Sequence, residues 1–371
     1  MLLHKTTRTF SRLNLARQLS TSTSSHRPPR VLVTGSLGQL GSTMVSALRS
    51  RFGSENVIAS DIKKPTVDQR NAGPFVFADV LNYRSLEQIT VDYGIDWVVH
   101  FSAVLSAAGE RNPTLGLSVN VNGFQNVLEL AKNHRLRLLS PSTMGAFGPT
   151  TPKDATPDLT IMRPNTIYGI SKVHMELMGE YYTEKYGVDF RSLRYPGIIS
   201  ADTPPGGGTT DYAIDIFHGA LKHNSYTCFL KAETRLPMAY IDDCIRGTMQ
   251  LLEAPEHSLS QRVYNVHACD FTPAELAEEI RHQHSESFTI NYQPDSRQVI
   301  ADTWPRTMAD DAARSDWGWN PVIGTPEMTR IMLEKLRPMY QNTALDHDVS
   351  AAEPAAINTE SAAPAAAVLA H

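Results

Sequence analysis

A glycine-rich turn between a β-rich run and an amphipathic run constrains the fold of this chain more than any other feature. The segment VLVTGSLGQLGSTMVSAL spans residues 31–48 and contains Gly35, Gly38 and Gly41. Its first part predicts a strand, and the apolar spacing after the turn predicts a helix. We expect Gly35 to make the tight turn, Gly38 to admit a pyrophosphate and Gly41 to allow close helix–sheet packing. The N–H groups at the helix N-terminus then favour a phosphate.

An acidic residue follows at the distance that dinucleotide-binding folds require. Asp61 ends the next β-rich run, 20 residues after Gly41, and a carboxylate there accepts hydrogen bonds from ribose hydroxyls. Its charge repels a 2′-phosphate, so the sequence favours NAD over NADP. Lys63 and Lys64 act against that preference, because either ammonium neutralises a phosphate. No Gly-Lys-Ser/Thr sequence follows the turn, which disfavours a nucleoside-triphosphate loop.

β-rich and helical patterns alternate through the first half of the chain. The helical patterns span residues 83–93, 115–134 and 168–186. This alternation predicts an α/β fold with a doubly wound parallel sheet, the Rossmann arrangement. We assign residues 29–203 to this NAD-binding core. Residues 204–342 are predicted to form mainly a smaller substrate lobe, with some segments returning to the core.

The two ends of the chain differ in composition from its middle. Residues 1–28 are rich in Arg, Ser and Thr, and the first acidic residue is Glu55. This composition predicts a mitochondrial transit peptide and a matrix location; a disordered basic tail of a cytosolic protein is the alternative. Residues 343–371 are Ala-rich and contain Pro354 and Pro364, so we expect disorder.

Charge, hydropathy and cysteine usage exclude several classes of protein. The net charge of −5 gives no electrostatic case for nucleic-acid binding. No apolar run approaches the roughly 20 residues that cross a bilayer. Cys228, Cys244 and Cys269 show neither metal nor redox spacing, so we interpret them as packing residues in a reducing compartment. The His, Asp and Glu residues show no metal spacing either.

Tyr168 and Lys172 are four residues apart, which places them on one helix face. A free tyrosine, with a pKa of about 10, is a poor base at neutral pH. We expect the Lys172 ammonium, in a partly dry site, to lower the pKa of Tyr168. Such a tyrosine removes a hydroxyl proton as hydride leaves the same carbon. Ser142 and Thr143 end an earlier β-rich run, where a hydroxyl can hold the substrate oxygen. A surface helix pair is the alternative interpretation.

Four motifs together resemble the extended short-chain dehydrogenase/reductase family, over residues 30–338. They are TGSLGQLG, HFSA, STMGAFG and YGISK. The resemblance implies that Thr143, Tyr168 and Lys172 are catalytic and that Lys172 also holds the nicotinamide ribose. It implies that Asn120 interrupts its helix and supports Lys172 through water. Members often form dimers through two long helices, here those that begin near residues 115 and 168.

The remaining predicted contacts lie at strand ends and in the second half. Asp79 and Val80 are placed for the adenine, or they only terminate a strand. His100 is interpreted as a satisfied buried histidine. The residues predicted to contact the cofactor are Gly35, Ser36, Leu37, Gly38, Gln39, Leu40, Gly41, Asp61, Ile62, Lys63, Asp79, Val80, Phe101, Ser102, Ala103, Asn120, Tyr168, Lys172, Tyr195, Pro196 and Ile198.

The predicted substrate contacts are Ser106, Thr143, Tyr168, Thr209, Thr210 and Trp304. For each of the four residues outside the catalytic group, a purely structural role is the alternative interpretation. Ser106 is otherwise a loop serine, one of Thr209 and Thr210 otherwise caps a helix near residue 211, and Trp304 otherwise belongs to the core. The amides of that helix are expected to take a carboxylate.

Three further segments resemble the short-chain-type L-threonine 3-dehydrogenases: PPGGGTTDYA, AVLSAAGERNP and RQVIADTWP. The resemblance implies NAD-dependent oxidation of the β-hydroxyl of L-threonine to 2-amino-3-ketobutyrate. It also implies functional coupling to a 2-amino-3-ketobutyrate CoA ligase that makes glycine. A nucleotide-sugar epimerase or dehydratase is the alternative, although RYPGIISADTPP lacks the expected Asn-containing motif. A non-catalytic NAD-sensing or RNA-associated scaffold is disfavoured, because Tyr168 and Lys172 are both present.

Overall fold

The structure is a computed structural model that describes residues 27–205 and 207–347. The predicted transit peptide, residues 1–28, lies almost wholly outside this range. The strands within it are β1 (Val31–Thr34), β2 (Val57–Asp61), β3 (Phe75–Phe77), β4 (Trp97–His100), β5 (Arg137–Leu139), β6 (Ser142–Thr143), β7 (Asp189–Tyr195), β8 (Gly197–Ile199), β9 (Ser225–Cys228), β10 (Leu236–Tyr240), β11 (Val263–Asn265), β12 (Cys269–Phe271) and β13 (Thr289–Tyr292).

Helices separate most of these strands. They are α1 (Gln39–Phe52), α2 (Val67–Asn71), α3 (Tyr83–Tyr93), α4 (Ser106–Arg111), α5 (Pro113–Leu117), α6 (Phe124–His134), α7 (Ile167–Tyr186), α8 (Tyr212–His223), α9 (Ile241–Glu253), α10 (Pro273–Gln283), α11 (Ser296–Ala301), α12 (Asp311–Trp317) and α13 (Thr325–His347). None of the helices in the described part of the chain has the length and apolarity to cross a bilayer.

The main sheet is parallel and has the order β11-β7-β5-β4-β1-β2-β3, with β6 also paired to β7. The order reverses at β1 and β4, and parallel neighbours require crossovers, which the helices provide. The predicted doubly wound fold is confirmed. Two small sheets, β12-β10-β8 and β13-β9, come mainly from the second half of the chain.

The main sheet is buried on both faces, as a parallel sheet requires. Successive side chains of β1 alternate between two cores: Val31 and Val33 pack on the side of α1, α8 and α9, whereas Leu32 packs on the side of α3, α6 and α7. This double burial explains why β1 reads as a continuous apolar run. The carboxyl ends of β1 and β4 open at one edge, where doubly wound folds bind ligands.

Several helix boundaries follow from local chemistry. α3 has the predicted bounds, and α10 begins at a capping box formed by Thr272 and Glu275. The helix predicted over residues 115–134 is α5 and α6 joined by a π-helical segment, Ser118–Gly123. α13 extends to His347, past the start predicted for the disordered tail, because residues 343–347 contain neither Gly nor Pro. Residues 348–371 lie outside the described range.

Candidate active site

The glycine turn between β1 and α1 leaves no room for a side chain at Gly35 or Gly41. Gly35 has a φ of +67°, and a Cβ added there would lie 2.6 Å from the Ser102 backbone nitrogen. A Cβ on Gly41 would lie 2.2 Å from the Gly35 carbonyl oxygen. Gly38 caps α1 with no side-chain hydrogen bond, and no acidic residue lies in the first turn of that helix. The turn therefore leaves α1 amides available for a pyrophosphate, which fits a dinucleotide.

Asp61 lies at the carboxyl end of β2, and its side chain is buried beside the glycine turn. One carboxylate oxygen accepts the Leu37 N–H at 3.0 Å, and the other accepts the Lys63 N–H at 3.0 Å. Each oxygen keeps a free lone pair, as ribose hydroxyls require. The side chains of Ile62 and Lys63 are exposed next to it.

The other residues predicted on the cofactor side lie along the same edge of the sheet. Ser36 is buried, whereas Leu37, Gln39 and Leu40 are half-buried around the turn. Val80 is buried against Gly123, whose added Cβ would lie 2.8 Å from a Val80 methyl carbon. Asp79 is exposed and accepts the Leu81 N–H.

The loop after β4 crosses the glycine turn and is held by a side chain from the π-helical segment. Phe101 donates its N–H to the Thr34 carbonyl, and Ser102 and Ala103 follow it. Asn120 accepts the Val104 N–H at 2.8 Å and donates to the Val104 carbonyl at 2.9 Å. The π-helical geometry therefore directs the Asn120 side-chain amide toward the Val104 backbone. A regular α-helix would direct this side chain differently.

Tyr168 and Thr143 meet because the first turn of α7 packs against the segment after β6. Thr166 caps α7 by accepting the Gly169 N–H, and an added Cβ on Gly169 would lie 2.3 Å from the Gly145 carbonyl oxygen. This close approach places the Tyr168 hydroxyl beside the Thr143 side chain, which acts to lower the pKa of Tyr168. Two of the three predicted catalytic groups are therefore neighbours.

Lys172 completes the group. Its ammonium lies 5.7 Å from the centre of the Tyr168 ring and donates to the Pro141 carbonyl at 2.7 Å. A cavity of about 10 Å³ adjoins it, lined by polar groups of Asn120, Ser140 and Ser171. That volume admits one water. Asn120 does not reach Lys172 directly but donates to the Ser171 hydroxyl at 3.1 Å.

The titration behaviour of the pair differs from the sequence prediction. Burial raises the pKa of Tyr168 to about 12, and the hydrogen bond from Thr143 only partly opposes it. Burial lowers the pKa of Lys172 to about 8, and the Glu176 carboxylate acts in the opposite direction. The expected lowering of the Tyr168 pKa is therefore not found. Loss of water around the phenol outweighs the opposing effect of the Thr143 side chain.

Tyr195, Pro196 and Ile198 lie where β7 passes into β8. The Tyr195 side chain points into the core, and its hydroxyl bonds to the Thr248 hydroxyl. A contact of Tyr195 with the cofactor stays a prediction, and it would have to come from the backbone, which lies at the edge of the sheet. Pro196 is buried and Ile198 is half-buried.

The predicted substrate contacts come from three separate segments. Ser106 begins α4 and is half-buried, and Trp304 lies within 4 Å of a Cβ built on Gly145, beside Thr143. Thr209 is buried. Thr210 packs against Gly197, whose added Cβ would lie 2.8 Å from a Thr210 methyl carbon.

Neither threonine caps α8, so that alternative was wrong. Asp211 occupies the N-cap position of α8, and its carboxylate accepts the Gly208 N–H at 2.8 Å. This fixed negative charge lies where a substrate carboxylate was predicted to bind. The helix terminus alone is therefore a poorer carboxylate site than its sequence indicated.

His100 has the structural role that was predicted for it. Its Nδ1 lies 2.8 Å from the Thr34 hydroxyl, and burial, together with the charge of Lys172, lowers its pKa to about 3. It is neutral at physiological pH. Among the residues that the structure describes, no group of His, Cys, Asp and Glu side chains could hold a metal ion.

The groups that hold the catalytic residues in place were not predicted from the sequence. The Pro141 carbonyl binds Lys172, and Glu176, one turn further along α7, forms a buried ion pair with Arg194 at 2.8 Å. A carboxylate four residues after Lys172 was a signal for this arrangement, because both then lie on the face of α7 that meets the sheet.

Comparison with known proteins gives the same picture. The mitochondrial L-threonine 3-dehydrogenase of Sus scrofa is 56% identical over 315 residues, which are 85% of this chain and 84% of that protein. The crystal structure of L-threonine dehydrogenase from Phytophthora infestans is 51% identical, with a TM-score of 0.81 over 84% of this chain and 99% of that one. A monomeric L-threonine 3-dehydrogenase from a metagenome, in its apo form, is 42% identical, with a TM-score of 0.79 over 84% of this chain and 99% of that one.

Residues 31–266 match the NAD dependent epimerase/dehydratase family. The match spans the glycine turn, Asp61, the catalytic group and the strand β11 that closes the main sheet. The resemblance to extended short-chain dehydrogenases/reductases is thereby confirmed. The chain belongs to the NAD dependent epimerase/dehydratase family, and NAD is its cofactor.

Proposed function

We propose that this protein oxidises L-threonine at its β-hydroxyl to 2-amino-3-ketobutyrate. The observation that carries the proposal is that the Tyr168 and Thr143 hydroxyls lie side by side, with the Lys172 ammonium 5.7 Å from the centre of the tyrosine ring. A substrate hydroxyl that inserts between these two groups finds a donor and a base. Identity above 50% to L-threonine dehydrogenases supports the choice of substrate.

Each catalytic side chain has a distinct part in this oxidation. Thr143 donates to the substrate oxygen and fixes its position, and Tyr168 accepts the hydroxyl proton. Lys172 favours the phenolate and, as the resemblance implies, binds the nicotinamide ribose. The water-sized cavity beside Asn120 is placed to pass the proton onward. NAD, when bound, accepts the hydride from the β-carbon.

We propose that residues 29–203 bind the cofactor and that residues 204–342 mainly form the substrate lobe. Segments of the second half return to the first: β11 pairs with β7, β10 pairs with β8, and α9 packs against α1. Ser106, Thr209, Thr210 and Trp304 are the proposed substrate contacts outside the catalytic group. Trp304 reaches Gly145 from the second half and excludes water from the Thr143 side.

A nucleotide-sugar epimerase is the function to exclude by experiment. An epimerase returns its hydride to the sugar, so it forms no net NADH, whereas an L-threonine dehydrogenase forms one NADH for each substrate consumed. The assay follows NADH absorbance with L-threonine, L-serine, allo-threonine and UDP-sugars as separate substrates. NADH formation with L-threonine supports the proposal. Conversion of a UDP-sugar without NADH, and no reaction with L-threonine, would refute it.

We propose a homodimer formed through α5 and α7. Ile170, Leu177 and Tyr181 are exposed apolar residues at positions that share one face of α7. Leu115 and Leu117 of the adjacent α5 are exposed as well. A contiguous apolar patch of this kind is typical of a protein interface.

The oligomeric state tests this interface directly. Leu177→Glu places a charge in the centre of the patch, and light scattering after gel filtration is expected to report a monomer. Leu159→Glu is the matched control, because Leu159 is an exposed leucine outside the patch. A monomeric wild type, as in the metagenomic relative, would refute the proposal.

We propose that residues 1–28 direct the protein to the mitochondrial matrix. The Arg- and Ser-rich, acid-free composition supports this, as does the mitochondrial label of the Sus scrofa relative. The product would there be consumed by a 2-amino-3-ketobutyrate CoA ligase to give glycine. A fusion of residues 1–28 to a fluorescent reporter is expected to reach the matrix, and cytosolic fluorescence would contradict the assignment.

A further inference from the structure

A buried ionic cluster lies directly behind the catalytic group. Arg194 donates to both carboxylate oxygens of Glu176, at 2.9 and 2.8 Å. The side chains of Arg194 and Glu176 are 4% and 2% exposed. Arg194 also donates to the Asp158 carbonyl at 2.7 Å and to the Asn265 side-chain oxygen at 3.1 Å. The cluster thus joins α7, β7, β11 and the loop that contains Asp158.

The cluster extends to the strand that bears Thr143. Ser142 donates its hydroxyl to Glu176, and β6 pairs with β7 so that Ser142 lies beside Arg194. The residue before Ser142 is Pro141, whose carbonyl binds Lys172, and the residue after it is Thr143. One carboxylate of α7 therefore fixes the middle of a three-residue segment. One end of this segment binds Lys172, and the other end lies beside Tyr168.

We propose that Glu176 is a positioning residue for the oxidation, because through Ser142 it fixes Thr143 and the Pro141 carbonyl relative to Tyr168 and Lys172. Neither Glu176 nor Arg194 contacts the substrate. A buried ion pair is weak evidence for stability, since desolvation of the two charges offsets their attraction. The Glu176–Arg194 ion pair lies one helical turn after Lys172, so it can position the catalytic group as well as fill the core. This role for Glu176 rests on the proposed oxidation, because it concerns how the catalytic residues of that reaction are kept in position.

The charge of Glu176 has a second effect. Its carboxylate opposes the lowering of the Lys172 pKa by burial. The other charged group that faces Glu176 from the sheet is Arg194, and Glu180 follows one turn later on α7. Opposite Lys172 on β4 lies His100, whose pKa of about 3 keeps it neutral during any assay near neutrality. Removing the carboxylate therefore lowers the Lys172 pKa and weakens the support for a Tyr168 phenolate.

The test uses full-length enzyme and pH profiles of kcat/KM for L-threonine. Glu176→Gln leaves Arg194 unpaired, so the double variant Glu176→Gln with Arg194→Gln, which buries two neutral amides, guards against unfolding. We expect the acidic limb of the profile to move up by about 1 pH unit in both variants. Ser142→Ala removes only the link to the strand. It is expected to lower kcat about 10- to 100-fold with the limb unmoved.

Glu180→Gln is the matched control, since it removes a carboxylate from the same helix without touching Ser142 or Lys172; its profile is expected to match the wild type. Glu176→Asp keeps the charge and is expected to restore the limb. Folding is followed by thermal melts, and cofactor binding by NADH fluorescence. If the folded variants bind NADH and keep the wild-type kcat and limb, the proposal is overturned. A wild type that does not oxidise L-threonine would instead overturn the proposed function.

Discussion

Replacing Lys172 with methionine tests how the ammonium acts on Tyr168. The ammonium lies 5.7 Å from the centre of the tyrosine ring. At that separation and an effective dielectric constant of about 20, the attraction between an ammonium and a phenolate is about 3 kcal/mol. That energy corresponds to about 2 units in the pKa of Tyr168. We expect the acidic limb of kcat/KM to move up by about 2 pH units in Lys172→Met.

The difference between wild type and variant should itself depend on pH. Burial lowers the pKa of Lys172 to about 8, so the ammonium is present below that pH and is lost above it. The variant should therefore be about 100-fold slower on the acidic limb and should approach the wild type above pH 8. Tyrosinate absorbance gives a second measurement of the Tyr168 pKa when the titration of Tyr168→Phe is subtracted, because the chain has twelve other tyrosines.

Lys172→Arg keeps the charge and is the control for the lost bond to Pro141. We expect Lys172→Arg to lose activity, but to move the acidic limb of the kcat/KM profile less than Lys172→Met does. A Lys172→Met enzyme whose rate falls by one constant factor at every pH would refute the electrostatic argument. Lys172 would then act only by binding.

Three further substitutions test the cofactor and catalytic assignments. Tyr168→Phe should lower kcat by about 10²- to 10⁴-fold while the affinity for NADH, measured by fluorescence, is retained; undiminished turnover would remove Tyr168 as the base. Asp61→Ala should reduce the preference for NAD over NADP by about 10-fold or more, measured as the ratio of kcat/KM values, and an unchanged ratio would assign the preference elsewhere. Gly41→Ala puts a Cβ 2.2 Å from the Gly35 carbonyl oxygen, so NADH affinity and melting temperature should both fall; wild-type affinity would contradict the close packing of the turn.

Local signals were sufficient for much of the fold. The glycine turn and the strands of the sheet each depend on residues within a few positions, and α3 was predicted with its correct bounds. Asp61 was found because its distance from the turn is set by one strand–helix–strand unit. The catalytic group was found because Tyr168 and Lys172 lie one turn apart.

The parts that could not be predicted depend on contacts between distant segments. The rise in the Tyr168 pKa comes from burial against segments that the motif does not contain. The direction of the Tyr195 side chain is set by Thr248, 53 residues away. Asp211 occupies the N-terminal end of α8, where its carboxylate accepts the Gly208 N–H of the preceding loop. The conformation of a glycine-rich loop cannot be predicted from its sequence.

The π-helical segment Ser118–Gly123 has a consequence for how this site can be lost. A π turn is a helix wound with one residue more than the regular spiral, so removing a single residue there would let α5 and α6 join as one unbroken rod. The faces on either side would keep their alignment, and the protein would still fold. The side-chain amide of Asn120 would then turn away from the Val104 backbone. The protein would remain folded but would lose its activity.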